Sequence, residues 1–214
     1  MSGSPIFIGG TGRSGTTILK RILVRHPAIF GLREEARFMI DPDGLISLVD
    51  ALSTRWSPGP TDKALRRFEA LMKSLKKISP WARVQKRIFD RFRVDLFAII
   101  SPPEYASYDL GRSLGYAHFD STLERFMGQL VDTRFPGRWP GSAAFRPRPV
   151  VTHARRFARE EIAQRSAGFV HELLSEALRA KGASRWCDDT PMNLLQIDFL
   201  RELFPDLRFI HIFR

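Results

Sequence analysis

The stretch Pro5-Ile-Phe-Ile-Gly-Gly-Thr-Gly-Arg-Ser-Gly-Thr-Thr17 decides the fold of this 214-residue chain. Its apolar run, Ile6 to Ile8, is typical of a buried parallel strand, and the glycines that follow predict a turn. Apolar residues then recur at helical spacing, at Ile18, Leu19, Ile22 and Leu23. A strand, a glycine-rich loop and a helix N-terminus form an anion cradle, because loop N–H groups point inward and the helix dipole is positive at that end. The loop therefore predicts a site for phosphate or for a group of similar shape and charge.

The loop partly fits the fingerprint of dinucleotide-binding proteins. Gly10, Gly12 and Gly15 satisfy the pattern G-x-G-x-x-G, which also requires an acidic residue about 20 positions further on. Glu34 and Glu35 lie close to that distance. A Rossmann-type, NAD-binding oxidoreductase is therefore one alternative.

The same loop partly fits the P-loop template, G-x-x-x-x-G-K-[ST]. Gly10, Gly15 and Thr17 match it, but Thr16 stands where the template has lysine. In ATP and GTP enzymes that lysine reaches the β- and γ-phosphates, and its absence counts against a nucleotide kinase, which is the second alternative. Arg13 inside the turn and the hydroxyl groups after it favour a nucleotide with a short 5′ end.

Five short segments of the chain resemble PAPS-dependent sulfotransferases, where PAPS is 3′-phosphoadenosine 5′-phosphosulfate. Arg13-Ser-Gly-Thr-Thr17 resembles their 5′-phosphosulfate-binding loop. His26-Pro27 and Glu34-Glu35-Ala36-Arg37 are similar to segments of the protein-tyrosine sulfotransferase-like branch. Trp186 to Pro191 and the run from Phe204 to Arg214 resemble later elements, the last of which is a strand that delivers an arginine to the 3′-phosphate. The resemblance covers about residues 5–40 and 184–214.

This resemblance implies an α/β fold: a P-loop-like parallel sheet flanked by helices, with a largely helical insertion. Alternating strand and helix patterns independently favour a parallel sheet. We expect one sulfotransferase domain over residues 1–214, with a helical and irregular insertion at 40–150 that binds the acceptor.

Local signals within the insertion predict where its elements begin and end. Thr61 or Asp62 is expected to cap one helix, and Ser121 with Glu124 to form a capping box at the start of another. Residues 135–149 are rich in Pro, Gly and Arg and predict a loop.

The resemblance also assigns roles to individual residues. Glu35 matches the general base, with Arg13 and Arg37 as its catalytic partners. We expect Asp188-Asp189-Thr190-Pro191 to be a strand end and a helix start rather than a metal site, with Thr190 as the cap of a helix from Met192 to Phe204. PAPS is expected as the co-substrate, without a metal. The nucleotide-binding residues are expected to be Gly10, Thr11, Gly12, Arg13, Ser14, Gly15, Thr16, Thr17 and Arg214.

The chain departs from the family pattern at two places. Asp189 stands where related enzymes often carry a lysine that stabilises the transferring group, so either another cation serves or Arg13 acts alone. The serine expected about eight residues after Arg214 is absent, because Arg214 is the last residue given. We therefore expect the sequence to be the N-terminal part of a longer enzyme, or a truncated one, and inactive by itself.

Other bases and other roles for the glutamates stay open at this stage. Glu34 and Glu35 could be a solvated charge pair or bind Arg33 and Arg37. Near a cationic pocket the pKa of Glu35 is expected to fall, so it must touch the acceptor hydroxyl directly to act as a base. Rival bases are histidines, namely His26, His118, His153, His171 and His211.

The amino-acid composition and net charge limit the kinds of binding partner that we expect. Lys and Arg number 34 against 23 acidic residues, which gives a net charge of +11, and most of the positive charge is arginine. A basic nucleic-acid-binding protein would explain that charge, but no basic stripe interleaved with aromatic residues supports one, and we expect no specific nucleic acid. The expected partner is a hydroxyl-bearing acceptor: a peptide tyrosine, a glycan, a lipid or a small molecule. The single cysteine and the lack of a membrane anchor predict a cytoplasmic protein.

Overall fold

The computed structural model describes residues 3–92, 105–138 and 150–213. The strands are β1 (Ile6–Gly10), β2 (Ile29–Gly31), β3 (Thr133–Pro136), β4 (Val150–His153), β5 (Arg185–Asp188) and β6 (Arg208–Ile212). The α-helices are α1 (Thr16–Leu23), α2 (Leu45–Leu52), α3 (Pro58–Lys76), α4 (Pro80–Phe92), α5 (Leu110–Leu114), α6 (Tyr116–Leu130), α7 (Arg159–Lys181) and α8 (Ile197–Leu203). Two 3₁₀ segments, Arg37–Met39 and Pro191–Gln196, follow β2 and β5.

Four strands form a parallel sheet in the order β2-β5-β1-β6. β5 and β6, which come late in the chain, therefore flank β1, and the carboxyl ends of all four strands lie at one edge of the sheet. Helices pack on the sheet, so the predicted α/β fold with a parallel sheet is confirmed.

The strand that opens the fold divides its side chains between two cores, because successive residues of a strand point to opposite faces. Phe7 is fully buried and packs edge-on against Trp186 at 5.1 Å between ring centroids, within the large core that the helices share. Ile6 and Ile8 point to the other face and form a smaller cluster with Cys187, under α1. Both faces of β1 are thus covered, as a parallel sheet requires.

The insertion is largely helical where the structure describes it, as predicted, but its boundaries differ. α3 begins at Pro58, so Thr61 and Asp62 lie inside it instead of capping it. α6 begins at Tyr116, so the predicted capping box is wrong: Ser121 is inside the helix and its hydroxyl donates to the His118 carbonyl at 3.1 Å. Proline at the first helical turn explains the earlier start of α3.

The predicted loop at 135–149 also begins differently. Phe135 and Pro136 belong to β3, which pairs antiparallel with β4, and residues 139–149 lie outside the described residues. The carboxylate of Asp62 anchors this hairpin to α3, because its Oδ1 accepts the backbone N–H of Thr152 at 2.8 Å.

The long helix α7 ends at Gly182 with φ +68°, a conformation that glycine adopts without strain. None of the helices in the described ranges is both long enough and apolar enough to cross a bilayer.

Candidate functional site

The loop between β1 and α1 leaves the sheet at its carboxyl edge. Gly10 lies in close contact with β6: a Cβ at this position would overlap the Ile212 carbonyl oxygen and lie 2.8 Å from Ser14 Oγ. Gly15 precedes α1 with φ +107°, and Arg13 has φ +64°, which is uncommon for a residue with a side chain. The sequence therefore places glycine where the backbone needs it and holds an arginine in a strained turn.

The start of α1 is open to an anion. Gly15 supplies no side-chain cap and the first turn carries no acidic residue, so the first N–H groups of the helix have no partner within it. Arg13 is exposed, whereas the hydroxyl oxygen of Ser14 is buried with no hydrogen-bond partner. Buried polar atoms are normally paired, so an unpaired hydroxyl here fits a ligand group.

The turn that carries the glutamates follows β2 and is held by Asp188 at the end of β5. Asp188 Oδ1 accepts the backbone N–H of Ala36 at 2.7 Å, and both groups are buried. Its Oδ2 accepts the side-chain N–H of Asn193 at 2.7 Å and the backbone N–H of Thr190 at 3.3 Å. One buried carboxylate thus fixes the residue directly after Glu35.

Asn193 extends this connection to the opening strand. Its Nδ2 also donates to the Ile8 carbonyl of β1 at 3.3 Å. The network therefore joins β1, β5 and the glutamate-bearing turn, and it brings the loop and Glu35 to the same edge of the sheet.

Glu35 is half-buried, and its pKa is raised above the ordinary value for a glutamate. Burial is the largest cause, the nearby carboxylates of Asp188 and Asp189 add to it, and the cations Arg37 and Lys20 act against it. The expectation of a lowered pKa was therefore wrong in direction, because the sequence did not reveal the two buried acids beside the glutamate. A raised pKa makes Glu35 a stronger base when it is ionised.

Arg37 lies in a cluster of polar and aromatic side chains. Its Nε contacts Asp41 Oδ2 at 2.7 Å, and its guanidinium lies 5.1 Å from the centre of the Tyr105 ring. The Tyr105 hydroxyl donates to the same carboxylate at 2.5 Å. Arg37 also hydrogen-bonds Tyr108, whose pKa is raised by burial and by the charge of Glu35, so that phenol stays protonated. The insertion therefore contributes two tyrosines next to the Arg37 side chain.

Lys20 of α1 forms a buried ion pair with Asp189, and the two side chains are 8% and 1% exposed. This close charge contact places a cation beside the residue that stands where related enzymes have lysine. Thr190 does not act as the expected helix cap: its hydroxyl oxygen is buried without a partner, and the 3₁₀ segment begins at Pro191.

β6 runs beside β1 in register, with Ile212 opposite Gly10, and so brings the chain to the level of the loop. Arg214, the expected 3′-phosphate ligand, lies outside the described residues.

A comparison with protein families agrees with this geometry. A family model described as "Sulfotransferase family" matches residues 5–98 and 119–214, which is most of the chain. The chain belongs to the sulfotransferase family. No curated protein and no solved structure matched it significantly. For this sulfotransferase the family match favours sulfuryl transfer over dinucleotide or triphosphate chemistry.

Four of the five rival histidines of the sulfotransferase have contacts of their own, and the fifth, His211, lies opposite Gly9 of β1, one residue before the loop. His26 Nδ1 accepts the Ala28 N–H at 3.2 Å after α1, His118 Nε2 lies 2.8 Å from the Glu172 carbonyl, and His171 packs against Phe204. His153 lies 3.7 Å from Asp132, and His211 is exposed on β6. Within residues 3–92, 105–138 and 150–213, no group of three or more His, Cys, Asp and Glu side chains is arranged to hold a metal.

The sequence did not point to four side chains that the fold brings to this site: Lys20, Asn193, Tyr105 and Tyr108. Lys20 stood in a helical pattern and Asn193 in a predicted helix, where polar residues are ordinary. The tyrosines lay in the insertion, which matched no motif. The one available signal was the position of Lys20, four residues after Thr16 and therefore on the same face of the predicted helix.

Proposed function

We propose that this sulfotransferase transfers the sulfuryl group of PAPS to an acceptor hydroxyl, and that it belongs to the protein-tyrosine sulfotransferase-like branch. One observation carries the proposal. The glycine-rich loop from Gly10 to Thr17 and a glutamate of raised pKa lie at the same edge of the sheet, joined through Asp188 and its hydrogen bonds.

The donor side of the site consists of the loop from Gly10 to Thr17. Its backbone N–H groups and the guanidinium of Arg13 would hold the 5′-phosphosulfate, because helix N-termini and arginines both favour such anions. The buried, unpaired Ser14 hydroxyl fits a further hydrogen bond to the same group. Gly12 leaves open space, since no heavy atom lies within 4 Å of a Cβ built there. Arg214 is proposed to hold the 3′-phosphate.

The acceptor side of the site consists of Glu35 and the cluster around Arg37. Glu35 takes the proton of the acceptor hydroxyl on one carboxylate oxygen, and its raised pKa strengthens that proton transfer. The sulfuryl group passes from PAPS to the acceptor oxygen as its bond to the 5′-phosphate breaks, so the two products are the sulfated acceptor and adenosine 3′,5′-bisphosphate. Arg37, fixed by Asp41 and Tyr105, orients the base and the acceptor.

The acceptor is proposed to approach over the insertion, where Tyr108 lies beside Arg37. Its hydroxyl could belong to a peptide tyrosine, a glycan, a lipid or a small molecule, since all four present an oxygen that one carboxylate can deprotonate. A peptide tyrosine is favoured among these, because Glu34-Glu35-Ala36-Arg37 resembles a segment of the protein-tyrosine sulfotransferases.

Calorimetric titration with adenosine 3′,5′-bisphosphate, ATP and NAD tests the donor assignment. We expect the bisphosphate to bind most tightly, and Arg13→Ala to weaken its binding by about tenfold or more, since one charge-assisted hydrogen bond contributes roughly 1.5–3 kcal/mol. Arg201→Ala, which removes an exposed arginine on α8, is the matched control. Tighter binding of NAD or ATP than of the bisphosphate would refute the proposal.

A further inference from the structure

Lys20 is unusual because lysine is rarely buried, and a buried lysine needs a partner for its charge. It is 6% exposed, and its side chain passes β2 at Gly31, where a Cβ would lie 3.5 Å from Lys20 Cδ. Its Nζ ends against Asp189 Oδ1, directly after β5. The ion pair therefore connects two elements of the site. One is α1, which follows the loop from Gly10 to Thr17, and the other is the end of β5, whose Asp188 holds the turn that carries Glu35.

A buried ion pair is weak evidence of a stabilising role, because the cost of removing two charges from water can exceed their attraction. Apolar side chains of similar size would fill this position without that cost. The location of Lys20 and Asp189 gives the charges another use. Asp189 follows Asp188 in the chain, and Asp188 accepts the N–H of the residue after Glu35.

The charges that act on Glu35 come from three parts of the fold. Asp188 ends β5 and Asp189 follows it, Lys20 comes from α1, and Arg37 comes from the turn of Glu35 itself. The phenol of Tyr108, from the segment before α5, in turn has its pKa raised by the charge of Glu35. Asp189 and Lys20 have opposite effects on the ionisation of Glu35, so each offsets the other while the pair is intact.

We propose that the Lys20–Asp189 ion pair is a positioning element of the active site, which fixes α1 against the end of β5 and balances the charge beside the catalytic base. The proposal rests on the proposed function where it treats Glu35 as that base. The two side chains are buried against each other, so we assign both as positioning residues that act through Glu35.

The charges of the pair predict the direction in which the pKa of Glu35 changes, whereas a role in packing alone predicts no direction. Asp189→Asn keeps the shape of the side chain but leaves Lys20 as an uncompensated cation, so the pKa of Glu35 should fall. The double variant Lys20→Met with Asp189→Asn removes both charges and should return the pKa toward that of the wild type. Asp206→Asn neutralises an exposed carboxylate before β6 and should change nothing.

Carbon-13 NMR titration of the glutamate carboxylates measures this directly, with the Glu35 signal assigned by its loss in Glu35→Gln. The expected order of the Glu35 pKa is Asp189→Asn lowest, with the double variant and the wild type above it. A pKa in Asp189→Asn that equals the wild-type value, or exceeds it, would overturn the proposal. Should Asp189→Asn fail to fold by circular dichroism, Lys20→Met and Lys20→Arg replace it. Lys20→Met should then raise the pKa and Lys20→Arg preserve it, and any other order overturns the proposal.

The titration needs no turnover, so its outcome is separate from that of the proposed function. Normal sulfuryl transfer by Glu35→Gln would refute Glu35 as the base while leaving the effect of the pair on its pKa measurable. Conversely, a catalytic Glu35 with an unchanged pKa in Asp189→Asn would refute the role of the pair alone.

Discussion

Replacing Asp188 should damage the site more than any other single change at the sheet edge. Asp188→Ala removes the acceptor of two short hydrogen bonds, at 2.7 Å from the Ala36 N–H and 2.7 Å from the Asn193 side chain, and of a longer one from Thr190. All these groups are buried. A hydrogen bond to a charged group contributes about 1.5–3 kcal/mol, so the free energy of unfolding should fall by roughly 3–5 kcal/mol.

Asp188→Asn separates the hydrogen bonds from the volume of the side chain. Its amide oxygen still accepts the Ala36 N–H, but its NH₂ group now faces the donors of Asn193 and Thr190. Asn193 restores one bond by turning its amide, since its Oδ1 has no partner, and then loses the bond from its Nδ2 to Ile8. We therefore expect a smaller loss of about 1–2 kcal/mol.

Urea unfolding followed by circular dichroism measures both variants, with Asp206→Ala as an exposed control. Hydrogen exchange of the Ala36 amide adds a local readout, and its protection should fall in Asp188→Ala before global unfolding. A free energy of unfolding for Asp188→Ala within about 0.5 kcal/mol of the wild type would contradict the reasoning, since that is the ordinary range for surface changes. So would a fully protected Ala36 amide.

Three further predictions concern the loop and the glutamates. Gly10→Ala should unfold the loop or abolish nucleotide binding, because its Cβ overlaps the carbonyl oxygen of Ile212 in β6. Gly12→Ala is the control, since its Cβ meets no atom within 4 Å, and it should preserve the melting temperature. Equal melting temperatures for the two variants would count against the described loop. Arg13→Gly should keep stability within about 1 kcal/mol of the wild type, since glycine adopts φ +64° without strain, yet it should lose nucleotide affinity in calorimetry. The pKa of Glu35 is raised in the fold, so ionisation of Glu35 lowers stability as the pH rises from the unfolded-state pKa through the folded-state pKa. Glu35→Gln should therefore be more stable than the wild type at neutral pH and equal to it at acidic pH. Glu35→Gln should also lose turnover, whereas Glu34→Gln should keep it. A neutral-pH stability of Glu35→Gln at or below that of the wild type would show that the carboxylate is not destabilised there.

The loop and the sheet were predictable because their signals are local. Gly9 and Gly10 lie where the backbone closely approaches neighbouring residues, Gly15 has a positive φ, and one apolar run of three residues specified a strand covered on both faces. Helix starts in the insertion were less predictable. Ser121 and Glu124 have the spacing of a capping box, yet α6 begins earlier, because its apolar positions from Phe119 onward pack into the core.

The charges of the site were not predictable, because they depend on contacts between distant parts of the chain. Lys20 lies in the first helix and Asp189 after the fifth strand, and neither residue announces a buried partner in the sequence. For the same reason the pKa of Glu35 was expected to fall. The motifs identify Arg13 and Arg37 as cations of the same site, whereas the burial and the carboxylates that raise the pKa of Glu35 are brought by the fold.

The central claim is that the loop from Gly10 to Thr17 receives the 5′ end of the nucleotide beside Glu35. Two-dimensional ¹⁵N–¹H NMR during titration with adenosine 3′,5′-bisphosphate tests it most directly. We predict that the amide signals of the loop and of the first turn of α1 shift along one saturable curve, with the Glu35 and Ala36 amides following it. Saturable shifts confined to other elements, with the loop signals unmoved, would contradict the account.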